Sequence, residues 1–167
     1  MKELLIVVDM QNDFVTGSLA NPDAQKMLPK LVKKLKKNTK DLIFTMDTHE
    51  EDYLETQEGK NLPVKHCIKN TEGWQIVPQL AEFAAKAKYI VEKKTFGAVS
   101  LVSLVKDYDS IEFVGVCTDI CVVSNAILLK AFYPEVLISV DKACCAGVNK
   151  SLHNSAIKTM QSCQIRV

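Results

Sequence analysis

The chain has 167 residues, 47% of them hydrophobic, and its 21 basic side chains nearly cancel its 20 acidic ones. This length suits one domain that buries a full core between a sheet and two helical layers, so we expect a single domain over residues 1–167. The balanced charge predicts no nucleic-acid or acidic-membrane surface, and a small molecule is the expected partner.

The cysteines and the first residues indicate the compartment. The apolar run that ends at Asp9 is too short for a signal peptide or a membrane span. The six cysteines form no C-x-x-C pair. We therefore expect reduced thiols rather than a disulfide framework, in a cytoplasmic protein that is not bound to a membrane.

Short apolar runs alternate with helical patterns along the whole chain. Six runs are typical of buried strands: Leu4–Val8, Leu42–Met46, Tyr89–Val91, Ile111–Val116, Val136–Val140 and Gln164–Val167. The helical patterns are Ala24–Lys37, Gln75–Ala87, Ala98–Lys106, Cys121–Phe132 and Ser151–Met160. This alternation predicts an α/β fold, a three-layer α/β/α sandwich around a six-stranded, mainly parallel sheet of Rossmann-like type.

Ligands of such sheets bind at the carboxyl ends of the strands, where this chain places reactive side chains. Asp9 ends the first strand, and Lys93 and Lys94 end the third. A polar turn follows the fourth strand and places Cys121 at the N-terminus of a helix, where the first-turn N–H groups and the helix dipole favour a thiolate. We predict that Cys121 is a nucleophile with Asp9 as its base and one of the two lysines as a cation. Backbone N–H groups of Cys117 and Cys121 are the expected oxyanion donors.

A second polar group follows the second strand. Asp47 and His49 lie at the strand end, and His66 lies further along an irregular segment of a length that is usually functional. Two imidazoles and a carboxylate suit a transition-metal ion that keeps open positions for water or substrate. Glu55 or Glu58, between the histidines, is a possible further oxygen ligand.

The other notable side chains carry weaker signals. Phe14 and Trp74 are both candidates for an aromatic wall, and Phe14 is favoured for substrate contact because it follows the first strand closely. His153 has no acidic or histidine partner at ligand spacing, so a capping or surface role is expected. Cys144 and Cys145 are expected to be inert buried thiols.

Five ordered motifs resemble those of the isochorismatase-like cysteine hydrolases, a family that includes nicotinamidases. The motifs are Leu5–Phe14, Asp47–His49, His66–Ile68 with Gly73 after it, Lys93–Ala98 and Gly115–Val122. The resemblance implies a triad of Asp9, Lys93 and Cys121. Lys93 is selected over Lys94 because the family places its lysine three residues before the aromatic residue that is Phe96 here.

The resemblance also implies a cis peptide between Val116 and Cys117. It assigns Asp47, His49 and His66 to a divalent metal, often zinc, that binds the pyridine nitrogen of nicotinamide. Family members that cleave isochorismate lack the nucleophilic cysteine, so the family pattern implies amide hydrolysis through a thioester, with release of ammonia. Relatives commonly form dimers or tetramers, and a homo-oligomer is expected.

Alternative functions follow from two features. Nicotinamidases typically carry Trp-Pro shortly before the His-Cys pair, whereas this chain has Leu62–Lys65, so another small amide or related substrate is an alternative. Strand-end residues Asp9, Asp47, Thr118 and Lys142 would also fit a receiver-type signalling module, although no second acid precedes Asp9. A catalytically silent protein that binds a ligand through the same pocket is the third possibility.

Overall fold

The computed structural model describes all 167 residues, and its centre is a sheet of five parallel strands. In chain order the strands are β1 (Glu3–Val8), β2 (Asp41–Asp47), β3 (Tyr89–Lys93), β4 (Ser110–Val116) and β5 (Leu137–Ala146). The helices are α1 (Asn12–Val15), α2 (Pro22–Lys36), α3 (Gln57–Asn61), α4 (Ala81–Ala84), α5 (Leu101–Leu104), α6 (Val123–Phe132) and α7 (Lys150–Ser162). Two 3₁₀ turns, Tyr53–Glu55 and Pro78–Leu80, and a π-helical turn, Thr118–Val122, complete the regular structure.

The core has two halves because successive strand residues point to opposite faces of the sheet. In β1, Leu4 and Ile6 pack with buried residues of α5, α6 and α7, whereas Leu5 and Val7 pack with α1, α2 and α4. The predicted three-layer α/β/α arrangement is therefore correct. None of the helices combines the length and the apolar character that a membrane span requires.

The prediction of six strands is wrong, since the sheet has five. The expected sixth strand, Gln164–Val167, begins two residues after the end of α7 at Ser162, and only Arg166 pairs with β5, opposite Ser139. Arg166 donates its N–H to Ile138 and accepts the N–H of Val140, at 3.0 and 2.8 Å. Ile165 is buried, so the segment is held by one bridge and one side chain.

Two predicted helices are shorter than their patterns. The region 75–87 contains only the 3₁₀ turn Pro78–Leu80 and α4. Val77, before the proline, has the extended backbone that a following proline favours, so a helix cannot pass through it. In the region 98–106, only the four residues of α5 are helical.

In the strand order β3-β2-β1-β4-β5, successive strands are added to one side of β1 up to β3 and to its other side from β4 on. The carboxyl ends of β1 and β4 therefore flank the crevice where such sheets bind ligands. Gly115 pairs with Val8 across this point. It has a φ of +116°, and an added Cβ would collide with the carbonyl oxygen of Val8. Glycine therefore lets β4 approach β1 just before the turn that carries Cys117.

Candidate active site

A cavity of about 560 Å³ opens at the carboxyl ends of the strands. This volume lies in the range of small-molecule pockets. Its lining includes Phe14, Asp47, His66, Cys117 and Cys121, which were all singled out in the sequence. Side chains from α1, from the end of β2, from the segment after α3 and from the turn after β4 therefore meet around one space.

Lys93, at the end of β3, is the central charge of the site and is only 4% exposed. Its Nζ lies 2.7 Å from Asp9 Oδ2, 3.1 Å from Asp47 Oδ1 and 3.4 Å from Cys121 Sγ. Burial opposes charge on the amine, but the carboxylates of Asp9 and Asp47 and the Cys121 sulfur outweigh it and raise the pKa of Lys93. Lys94 is exposed, so Lys93 is the lysine that reaches the site.

Asp9 is fully buried and lies directly after β1 with a left-handed backbone, φ +48°. Aspartate is one of the residues that tolerate this conformation. The Thr45 hydroxyl donates to Asp9 Oδ1 at 2.6 Å, and the Asp9 N–H donates to the Thr45 carbonyl at 3.1 Å. Oδ2 forms the ion pair with Lys93 but has no aligned hydrogen-bond donor. Burial raises the pKa of Asp9 despite the nearby lysine, which makes the carboxylate a better proton acceptor.

Cys121 lies within the π-helical turn, two residues before α6 begins at Val123, rather than at the first residue of an α-helix. The thiol is 5% exposed. Burial, followed by the charge of Asp9, raises the pKa of Cys121 well above its ordinary value. The expectation that position alone would favour the thiolate is therefore wrong, because burial dominates and the thiol needs a base.

The turn before Cys121 has an unusual backbone. The peptide bond between Val116 and Cys117 is cis, the conformation that the family resemblance implies. The N–H of Cys117 donates to no backbone or side-chain acceptor, although its carbonyl accepts from Ile120 and Val122 at 3.1 Å. Burial raises the pKa of the Cys117 thiol to about 12, so this second cysteine is held neutral.

Four side chains that could hold a metal ion come together beside Lys93. Asp47, His49, Glu58 and His66 each offer one ligand atom, and these atoms all lie within 4.8 Å of one another. Asp47 Oδ2 is 2.9 Å from His49 Nε2 and 3.5 Å from His66 Nε2. Glu58 Oε1 is 3.6 and 3.7 Å from the same two nitrogens. Two imidazoles and two carboxylates are a donor set that fits zinc.

Local structure orients these ligands. His66 Nδ1 donates to the Val64 carbonyl at 2.8 Å, which directs the lone pair of a neutral ring to Nε2. Tyr53 packs on both imidazoles, with ring centroids 4.7 Å from His49 and 5.0 Å from His66. Glu58 lies in the first turn of α3, whereas Glu55 is exposed. Of the two glutamates that the sequence offers as a further oxygen ligand, Glu58 is therefore the one near the histidines.

Asp47 joins the two groups because its oxygens face different partners. Oδ1 pairs with Lys93, and Oδ2 faces the histidines. Burial alone would raise the pKa of Asp47, but the hydrogen bonds with His49 and His66 and the charge of Lys93 hold it well below its usual value. Gln11 fixes the Asp47 backbone, since Oε1 accepts the N–H at 2.8 Å and Nε2 donates to the carbonyl at 2.8 Å.

Sequence reasoning separated the aromatic candidates only in part. Phe14 lines the cavity, with its ring 5.6 Å from that of His66, whereas Trp74 packs beside the core and donates to Thr48 Oγ1. Phe96 and Leu62 also line the cavity. Phe96 lies within a family motif and Leu62 shortly before another, but no sequence pattern predicts that their side chains face the cavity.

Two other sequence expectations are changed. Lys142 is exposed within β5 rather than at its end, so the arrangement of a receiver module is not formed. His153 is not a free surface side chain, because its Nδ1 lies 2.8 Å from the hydroxyl of Thr118 in the turn that carries Cys121. Cys144 and Cys145 are buried and lie outside the cavity lining.

The sequence and the fold are both similar to those of known proteins. A family model described as Isochorismatase domain matches residues 3–167. The Bacillus subtilis isochorismatase family protein PncA is 29% identical, and the alignment covers 94% of this chain and 93% of that protein. The crystal structure of nicotinamidase PncA from Bacillus subtilis is 26% identical with a TM-score of 0.80, covering 100% of this chain and 99% of that one. Pyrazinamidase of Pyrococcus horikoshii in complex with zinc is 26% identical with a TM-score of 0.82, covering 99% and 98%.

Proposed function

The chain belongs to the isochorismatase family and is a nicotinamidase-like hydrolase, and we propose that it hydrolyses a small amide to an acid and ammonia through a Cys121 thioester. One observation carries this proposal. A single buried amine, Lys93 Nζ, lies 2.7 Å from a buried carboxylate of Asp9 and 3.4 Å from the Cys121 sulfur, beside a cavity. The amine of Lys93 therefore contacts both the proposed nucleophile and the proposed base.

The first step is thiol activation and attack. The raised pKa of Asp9 makes it the acceptor for the Cys121 proton, and Oδ2 is the oxygen that lacks an aligned donor. Lys93 compensates the charge as it moves from carboxylate to sulfur. The sulfur then bonds to the amide carbon, and the N–H groups of Cys117 and Cys121 stabilise the resulting oxyanion.

The second step returns the proton. Asp9 gives it to the departing nitrogen, the C–N bond breaks, and ammonia leaves while the acyl group stays on Cys121 as a thioester. Asp9, again a carboxylate, takes a proton from water, which attacks the thioester carbon and releases the acid. As the C–S bond breaks, Asp9 returns this proton to the Cys121 sulfur and the thiol is regenerated, so one base serves both halves of the reaction.

The metal group is assigned to Asp47, His49, Glu58 and His66 on the chemistry of the donor set. When bound, zinc would supply a Lewis-acidic position for a water molecule or for a ring nitrogen of the substrate. The protein side chains supply the rest of the binding site. Phe14, Leu62 and Phe96 form apolar walls that suit a small flat ring.

The substrate identity is tested by an ammonia-release screen on the zinc-loaded protein. The panel contains nicotinamide, pyrazinamide, an aliphatic amide and a peptide amide, each with and without a chelator. We expect release from the two ring amides and its loss with the chelator. Acid quenching followed by mass spectrometry should show an acyl group on the peptide that contains Cys121. Ammonia release that proceeds with no such adduct and survives Cys121→Ala would contradict the mechanism.

Two further expectations belong to this proposal. Nicotinamidase-like relatives commonly form homo-oligomers, and we predict the same of this chain, which sedimentation analysis can measure. A cytoplasmic location is predicted from the reduced thiols and is consistent with six free cysteines.

A further inference from the structure

His153 stands outside the proposed chemistry, yet it contacts the turn that carries the nucleophile. It lies in the first half of α7 and is half-buried. Its Nδ1 is 2.8 Å from Thr118 Oγ1, and Thr118 is fully buried. Thr118 follows the oxyanion residue Cys117 directly and precedes Cys121 by three positions, so this hydrogen bond ties α7 to the first residue of the turn.

Close packing from the segment before α7 supports the same contact. Asp119 Oδ1 accepts the N–H of Val148 at 2.9 Å. A Cβ added at Gly147 would lie 2.7 Å from Asp119 Oδ1 and 2.9 Å from His153 Cβ, so glycine allows the three residues to meet. Asn21 donates to the Gly147 carbonyl at 2.8 Å. The turn is thereby held against the segment that leads into α7.

The geometry points to His153 as a positioning residue: through Thr118 it holds the π-helical turn so that the Cys117 N–H and the Cys121 sulfur face the cavity. This inference rests on the proposed function for its catalytic consequence. The structural consequence, the placement of the Cys121 thiol, does not depend on the proposed function, because it can be measured without a substrate. His153 does not line the cavity, so it acts through the turn and not on the substrate.

The test compares His153→Phe, which removes the hydrogen bond, with His153→Asn, which can place a polar atom near the Nδ1 position. Asn154→Ala, an exposed neighbour on α7, is the control. With nicotinamide as substrate, we expect His153→Phe to lower kcat about tenfold with little change in KM, since small misplacement of reacting groups is costly. His153→Asn should recover most of the loss, and Asn154→Ala should match the parent.

The second readout is the rate at which iodoacetamide alkylates Cys121, followed by peptide mapping. A loosened turn exposes the thiol, so His153→Phe should speed alkylation several-fold, and His153→Asn should restore the slow rate. Thr118→Val should behave like His153→Phe, and the double variant should be no worse than either single change, because both remove the same bond.

Two results would overturn the inference. An unchanged alkylation rate in His153→Phe would show that the bond does not position the turn. Equal effects of the phenylalanine and asparagine variants would show that packing, not the hydrogen bond, is responsible. If nicotinamide is not hydrolysed by the parent protein, the alkylation series alone decides, and a failure of the proposed function is thereby separated from a failure of this one.

Discussion

The two polar groups of the site differ in how their charge is balanced. In the nucleophile group, Asp9 is paired with the amine of Lys93 at 2.7 Å. In the metal group, Asp47 and Glu58 face two imidazoles, and the amine of Lys93 is shared with Asp9. Burial and the charge of Asp47 raise the pKa of Glu58. His66 is buried as well, yet its hydrogen bond with Asp47 raises the pKa of the ring.

The charge of Asp47 contributes to both shifts, since it raises the pKa of an acid and of an imidazole, and a divalent cation held by these side chains would oppose that charge. The proposed nucleophile group consists of protein side chains alone, whereas the proposed metal group would need an ion to be complete. Asp47 belongs to both, so the two groups are coupled at one carboxylate. The variants below separate what each group requires.

The largest effect is expected from removing the nucleophile. Cys121→Ala should lower kcat at least about 10⁴-fold, by comparison with losses seen when other covalent nucleophiles are deleted. The thiol makes no charged contribution to folding, and the Asp9–Lys93 pair stays, so the melting temperature should change little. Cys163→Ala, which alters an exposed cysteine, is the control. Retention of activity in Cys121→Ala would exclude the thioester route.

Removing the shared cation should damage folding as well as activity. Lys93→Met leaves the buried carboxylates of Asp9 and Asp47 without their amine, and loss of one partner from a buried ion pair costs about 3–5 kcal/mol in the free energy of unfolding. Urea denaturation measures this loss. Lys94→Met, at an exposed neighbour, should stay within about 0.5 kcal/mol. Equal stabilities of the two variants would show that Lys93 is not the counter-ion.

The sequence predicted the components of both groups because strand ends in a parallel sheet converge at one edge. It could not decide between Glu55 and Glu58, because that choice depends on where α3 turns within the long segment. The thiol pKa of Cys121 was mispredicted because a helix-start argument contains no information about burial. The contact between Thr118 and His153 joins residues 35 positions apart and leaves no local pattern.

The metal group should show its dependence on an ion through stability. A ligand at a concentration 100 times its Kd stabilises by about 2.7 kcal/mol, and each kcal/mol raises the melting temperature of a domain of this size by about 2–4 °C. Zinc should therefore raise the melting temperature of the parent by about 5–10 °C. Glu58→Gln should reduce this shift, and Glu55→Gln should not. A full shift in Glu58→Gln would remove Glu58 from the ligand set.

The smallest effect is a pH dependence with opposite signs in the metal-free and zinc-loaded protein. The pKa of His66 is raised above its ordinary value of 6.5, so in the metal-free protein its stabilising contribution is fully present below that value and is lost as the pH rises through the folded pKa. Zinc needs the neutral ring, so the zinc-induced stabilisation should instead grow as the pH rises, and acidification should weaken binding already above pH 6.5.

Melting temperatures measured from about pH 5.5 to about pH 8.5, with zinc and with a chelator, should give two curves that diverge toward high pH. His66→Gln keeps a polar side chain but cannot be protonated in this range, so it should flatten the His66 contribution in the chelated sample and weaken the zinc effect. Parallel curves for the parent protein would show that zinc and the proton do not compete for His66. In that case the ion would have to be held by the remaining ligands.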